Sequence, residues 1–499
     1  MSNIRRQSII SSVIVYVGFV LGFVNTYLYT KEGSFTQEQY GLVSTFIAIA
    51  NIMLAFANLG MQAYIYKFYP YYKDNLPREK NDLISWALLT SSIGFGLVIL
   101  AGIFLKDLVI RKYVTNAPDL VRYYEWLFPF GFGLTIYSVL EAYGWQEKKS
   151  VLTNFLREVA FRLLTTILIV LFFLNIIPDF DVFIKSYSLT YLIIAAALMI
   201  YLAATKRISF HLYVSRVTRK FFTKIVALVS FVWGGGLVFN IANVFDTLVI
   251  AAVMPNGLAF AGVYSLAQNI ASLIQAPQRG IISAAMGPLS RAWKDKDLGR
   301  IKQIYQRSSI NQLIFSVAMF SLILMNFNDG IETFSLKEGY ILALPVFFLI
   351  GTMRILDMGT GLNAQIISTS TYWRFEFFTG VILLAMALPL NYFLTKSMGV
   401  IGPAVSNLIA FTIYNFIRCV YLWKKIRIQP FTWNSLYTVI LGGAAYTVCY
   451  FLFSGQRGLS WIFARSATFI AIFVAGVVLL RLTPDLFHVI ESLKKRAKR

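Results

Sequence analysis

The sequence is poor in the residues that build disulfides, metal centres and most catalytic sites, with two cysteines and two histidines among 499 residues. Cys419 and Cys449 both fall in apolar stretches, which argues against a disulfide framework and a thiolate metal site. His211 and His488 sit in basic surroundings, so neither suits a zinc ligand set or a general base. Acidic residues are also scarce, 23 Asp and Glu against 45 Lys and Arg, giving a formal net charge of +22. In a soluble chain that excess would suggest nucleic acid. Long polar stretches are missing as well, so the chain has no room for a folded soluble domain.

What is present is apolar. Hydrophobic residues make up 58% of the chain and charged residues 14%, and mean hydropathy is +0.66. Apolar windows long enough to span a bilayer recur from end to end, the mark of a polytopic membrane protein. They fall at 8–29, 41–64, 83–105, 122–144, 155–177, 183–204, 223–253, 259–287, 308–327, 339–359, 374–395, 400–423, 433–453 and 459–482, about 14 transmembrane helices. Arg5 and Arg6 precede the first window, which lacks a small-x-small cleavage pattern and is expected to be a retained helix. The 223–253 window is too long for one perpendicular span and contains Gly234, Gly235 and Gly236, so tilt or a kink is expected there.

Alternate loops differ sharply in Lys and Arg. One set holds Lys67, Lys73, Arg78 and Lys80, then Lys206 to Lys220, Arg291 to Arg307, Lys424 to Arg427 and the tail Lys494 to Arg499. The other set is nearly bare, apart from Lys106, Arg111 and Lys112. The positive-inside rule then accounts for the net charge without nucleic acid, and places both the N- and C-termini in the cytoplasm. The expected location is the cytoplasmic (inner) membrane, multi-pass.

The most informative stretch is Phe35 to Pro70, where Ser44, Asn51, Asn58 and Gln62 share one face at helical spacing. Amides facing hydrocarbon would leave donors and acceptors unpaired, so that face must look at protein or water. Sliding the chain by about 221 residues lays this region on a second copy, with Gly41 on Gly262, Ser44 on Ser265, Asn51 on Ser272 and Asn58 on Arg279. The second copy has the fuller stripe, Ser265, Gln268, Ser272, Gln275 and Arg279. Six helices precede the seventh, so the repeat is parallel. The expected fold is an all-α integral membrane protein with two parallel six-helix lobes, related by a pseudo-twofold along the membrane normal, plus a C-terminal helix pair. Its expected parts are an N-lobe at 1–205, an amphipathic cytoplasmic linker helix at 206–222, a C-lobe at 223–428, accessory helices at 429–483 and a basic tail at 484–499.

Thr36, Glu38, Tyr40, Gly41 and Leu42, the apolar helix to Asn58, Leu59 and Gly60, and the basic turn at Pro70 resemble the polysaccharide biosynthesis and O-antigen flippase family. That family belongs to a superfamily with multidrug exporters and the lipid II flippase. The resemblance implies translocation of a polyprenyl-(pyro)phosphate-linked oligosaccharide by alternating access, for surface polysaccharide biosynthesis. It also implies no enzyme activity and no cofactor, with Na+ or H+ as a coupling ion and a polysaccharide polymerase as a further partner.

Candidate site residues follow from ionic and amide groups inside apolar windows. Arg279 ends the fullest stripe and can clamp phosphate oxygens with a forked set of donors; its alternative is snorkelling to the interface. Arg354 is a second cation for substrate, while Arg354 and Asp357 can also pair along one helix face. Asp246 and Asp357 are candidates for ion coupling or a cleft ion pair. Gln268, Gln275, Asn25, Asn51 and Asn58 suit sugar hydroxyls, or else hydrogen bonds between helices. Glu141, Arg157, Glu158 and Arg162 form a network expected at the cytoplasmic mouth. The tail and residues 206–220 are expected to meet anionic membrane lipids.

Two other functions fit the same chain less well. A cation-coupled multidrug exporter would need a carboxylate, which Asp246 supplies, but would have few fixed cations. A membrane-embedded polymerase or glycosyltransferase would need catalytic groups in an outer loop, where Asp179 and Asp181 are the best available and lack a partner cluster.

Overall fold

The computed structural model describes residues 3–483, without the side chains of residues 3–13, 235, 238, 239, 243, 279, 283, 284 and 373. The basic tail, the side chains of Arg5 and Arg6, and His488 therefore lie outside the described residues. Those described are helical, and no β-strand occurs among them. The principal helices are α1 (Asn3–Thr30), α2 (Gln37–Ala57), α3 (Met61–Asn75), α4 (Leu83–Phe104), α5 (Leu127–Gln146), α6 (Phe161–Phe173), α7 (Thr190–Ala204) and α8 (Arg216–Val253). They continue as α9 (Gly257–Ser272), α10 (Gln278–Lys294), α11 (Leu298–Thr333), α12 (Ala343–Gly359), α13 (Trp373–Met398), α14 (Gly402–Ile426), α15 (Trp433–Leu452) and α16 (Leu459–Leu479).

Each of the fourteen apolar windows falls mainly on helical chain. Nine helices among the described residues are long and apolar enough to cross a membrane, one of these a continuous stretch at 374–426 that comprises most of α13, a short turn and α14. Windows outside that set include the two that carry Glu141 and its neighbouring tyrosines, or Arg157, Glu158 and Arg162. The chain forms two compact units, Met1–Gly262 and Val263–Arg499.

In the first unit, Thr36 starts α2 with a capping box. Its Oγ1 accepts from the Gln39 amide, and Gln39 Oε1 accepts from the Thr36 amide. The window at 41–64 is not one helix, since Leu59 and Gly60 take left-handed backbone angles and α3 starts afresh at Met61. Gly60 is required for space too, because a methyl group there would stand 2.6 Å from the Val229 carbonyl oxygen of α8. The second copy breaks as well. There α9 ends at Ser272, a short 3-10 turn covers Leu273–Gln275, and α10 starts only after Pro277. The continuous stripe expected from Ser265 to Arg279 is thus split between two helices.

Glycines 41 and 262, matched by the 221-residue register, lie backbone to backbone. A methyl group at Gly41 would overlap the Leu258 carbonyl, and one at Gly262 would approach the Gln37 carbonyl oxygen. Gly41→Val should therefore cost well over the ~1–3 kcal/mol of ordinary overpacking. The expected result is severalfold less monodisperse protein extracted from membranes at equal synthesis, read by size-exclusion chromatography.

The amphipathic helix expected over 206–222 is an extended segment at 207–214, with helix only from Arg216. Local tethers override its pattern. The Ser209 hydroxyl donates to the Arg78 carbonyl (2.6 Å), the His211 amide to Ser85 Oγ (2.9 Å), and the Tyr213 hydroxyl to the Lys80 carbonyl (2.6 Å). Buried Asp82 then accepts from the Ser215 amide (2.9 Å) and the Thr218 hydroxyl (2.7 Å) through Oδ2. Helix α8 runs without interruption through Gly234, Gly235 and Gly236 and packs in the first unit, where the Trp233 indole donates to the Ala55 carbonyl (3.0 Å).

In the second unit the accessory helices α15 and α16 pack on α11 through Leu313, Val317, Ala445, Cys449, Phe469 and Phe473. A buried arginine fixes the joint. Arg465 donates to the Met325 carbonyl (2.9 Å), Asn326 Oδ1 (3.2 Å) and the Gln456 carbonyl (2.9 Å), and pairs with buried Asp329 (3.4 Å).

Candidate functional site

The helix break at 58–60 has a consequence for the first unit. It swings α3 out of line with α2, and α5, α7 and α8 complete the wall of a cavity of about 520 Å³. Asn51 and Asn58 line it, as the amide stripe predicts, and Gln62 joins them from α3 despite the break. Asn51 is partly occupied by the Ile47 carbonyl (2.7 Å), whereas Asn58 Oδ1 is buried without a hydrogen-bond partner among the described residues. Gln62 is oriented by the carbonyl and hydroxyl of Ser138.

The wall is not purely neutral. Glu141 of α5 is 3% exposed and accepts from Arg157 Nη1 at 2.9 Å, while the Arg157 side chain is 53% exposed. Arg157 sits in a π-helical segment, Phe155–Ala160, that leads into α6. Its guanidinium thus spends one arm on Glu141 and keeps further donors, and Glu141 Oε1 has no hydrogen-bond partner among the described residues. Tyr66, Tyr137, Tyr191 and Trp233 supply aromatic faces, and Asn240 supplies another amide. A group with phosphate or hydroxyl oxygens and apolar ring faces would find both partners here.

The remaining candidates are distributed differently. Asn25 is committed to helix packing, donating to the Arg162 carbonyl (2.8 Å) and accepting from Thr166 Oγ1 (2.6 Å). Glu158 and Arg162 pair with each other along their helix at 3.0 Å, and neither lines the cavity. Asp246 is buried on α8, and Gln268 is half-buried on α9. In the second unit Asp357 takes its partners among the described residues from amides, Gln275 (3.3 Å), Gln278 (3.2 Å) and Asn415 (3.0 Å), rather than through the helix-face pair with Arg354 that spacing allows. Arg354 is half-buried on α12. The Arg279 side chain lies outside the described residues. Asp179 caps the Phe180–Ser188 helix and Asp181 pairs with Lys185, so both carboxylates have structural work.

Tyr66, Tyr137, Tyr191, Trp233 and Asn240 were not singled out in the sequence. Aromatic residues in apolar helices carry no signal that separates a cavity wall from a core. The pair of buried Arg418 with half-buried Glu376, with the guanidinium stacked on Tyr414, was also missed, although both ions stand in apolar windows and could have been found by the same search.

The sequence profile described as "polysaccharide biosynthesis protein" matches residues 4–292. The chain belongs to that family. No curated protein matches this family member in sequence. Among solved structures it is similar to the lipid II flippase MurJ in an inward closed conformation, at TM-score 0.74 and 14% identity, over 96% of this chain and 100% of that one. An inward-facing multidrug resistance MATE transporter of the MOP superfamily matches at TM-score 0.60 and 15% identity, covering 83% and 99%. A MOP superfamily transporter from Pyrococcus furiosus matches at 0.55 and 14%, covering 89% and 96%. The chain thus has the MurJ and MATE fold, and its many apolar helices are those of a multi-pass membrane protein.

Proposed function

We propose that the protein is a flippase that moves a polyprenyl-(pyro)phosphate-linked oligosaccharide across the cytoplasmic membrane by alternating access, for surface polysaccharide biosynthesis. The observation that carries this reading is the first-unit cavity, in which one chain of apolar helices encloses an arginine, a carboxylate, amides and aromatic rings. At about 520 Å³ it has room for a polar headgroup of several rings, while a polyprenyl tail stays in lipid. Arg157 would bind phosphate or sugar oxygens, Asn58 Oδ1 and Glu141 Oε1 would accept from sugar hydroxyls, and the tyrosines and Trp233 would stack on the apolar faces of sugar rings. Arg279 and Arg354 would supply further phosphate contacts, and Asp246 or Asp357 would bind a coupling Na+ or H+. The family and the flippase named by one structural relative agree with this assignment.

The test is complementation of a deletion strain with wild type or Arg279→Gln at matched membrane abundance. Losing a charged hydrogen-bonding group should lower surface polysaccharide about tenfold or more, with the lipid-linked precursor accumulating on the cytoplasmic side. Unchanged polysaccharide would remove Arg279 from the site. A deletion strain with normal polysaccharide and heightened drug sensitivity would instead make the protein a drug exporter.

A further inference from the structure

Helices α3 and α8 have a second shared face. Lys67, Phe68 and Tyr71 of α3 and Phe221, Lys224, Ala227, Leu228 and Phe231 of α8 line an open groove of about 540 Å³, and none of them lines the cavity described above. Its floor is aromatic and aliphatic, with Phe221 packed against Tyr71 (5.0 Å between ring centres) and Phe68 (5.8 Å). Tyr71 and Phe231 are exposed, so the groove is open along its length.

The two lysines make this face unusual. Both are exposed, and among the described residues neither has a carboxylate within ion-pair distance. The Lys224 ammonium stands 6.0 Å from the Phe221 ring, and Lys220 stands 5.7 Å from the same ring. No acidic residue lines the groove. Two like charges facing one apolar channel without a counter-ion call for an anion that brings hydrocarbon with it.

We infer that this groove is a binding site for one anionic phospholipid, whose phosphate lies between Lys67 and Lys224 and whose acyl chain lies along Ala227, Leu228 and Phe231. A lysine is a flexible point charge suited to a phosphate monoester or diester oxygen. A zwitterionic lipid gains less, because its ammonium group finds no carboxylate in the groove. The site uses faces of α3 and α8 that the cavity leaves free, so it fills independently of the transported substrate.

The experiment is native mass spectrometry of the purified, delipidated full-length protein, titrated with dioleoylphosphatidylglycerol or dioleoylphosphatidylcholine. Wild type should retain one phosphatidylglycerol that the double variant Lys67→Gln/Lys224→Gln binds about thirtyfold more weakly, the sum of two lysine–headgroup attractions. Lys67→Arg/Lys224→Arg should keep it, and Lys424→Gln/Lys425→Gln, distant in sequence, should not affect it. Variants are compared only as monodisperse fractions with matched thermal midpoints in neutral detergent. Equal phosphatidylglycerol retention by wild type and the glutamine variant would overturn the site, as would equal retention of the two lipids by wild type.

Discussion

Arg157→Leu should cut surface polysaccharide about tenfold or more at equal synthesis, and it should do so by two separable routes. The first is structural, because the substitution strands Glu141, a carboxylate only 3% exposed. With Arg157 itself half exposed, stranding that carboxylate costs about 1–3 kcal/mol, so membrane abundance and thermal midpoint should both fall. The second is loss of the cavity's cation. Replacing both partners, Glu141→Gln with Arg157→Gln, removes the stranded charge while keeping the side chains polar and similar in volume. That double variant should recover most of the lost thermal stability and remain defective in polysaccharide export. Full export by the double variant would reduce the pair to a fold element and take the charge out of the proposed mechanism.

The second large effect is on the accessory helices. Asp329→Ala should lower stability by about 3–5 kcal/mol, since it leaves the buried guanidinium of Arg465 without its counter-charge. The same carboxylate accepts from the Gly458 amide (2.9 Å) and the Thr333 hydroxyl (3.0 Å), so the turn between α15 and α16 loses its anchor as well. Hydrogen exchange should then rise selectively over residues 453–460, ahead of the rest of the second unit. Asp329→Leu with Arg465→Leu should regain much of the loss in a denaturation assay. A single variant with wild-type midpoint and exchange would show that the remaining carbonyl partners of Arg465 suffice.

Much of this was legible in the chain because the bilayer enforces simple rules. Apolar length marks helices, and an amide in an apolar helix marks a face that avoids lipid. Asn51 and Asn58 were found that way, and both line the first-unit cavity. The glycines at 41 and 262 were matched by register, and each turns out to occupy a place with no room for a side chain. Breaks within windows were not legible. Leu59 carries no turn signal, and one glycine in an apolar helix is common, so the left-handed pair at 59–60 depends on the close approach of α8. Pro277 did carry a signal, but it was overridden by the polar periodicity on both sides of it. Glu141 and Arg157 were placed in one network at the cytoplasmic mouth, yet their pairing with each other and their position in the cavity depend on the π-helical segment, which sequence periodicity does not reveal.

The segment from Ser209 to Ser215 carries one more consequence. It looks like a free connector, yet four of its residues are tied to the turn at 78–85 by hydrogen bonds. A connector holds two bodies together only through its covalent bonds. This one is laced to its surroundings, so a chain nicked there would keep both new ends seated, and the start of α8 owes its position to the lacing and not to the continuity of the backbone.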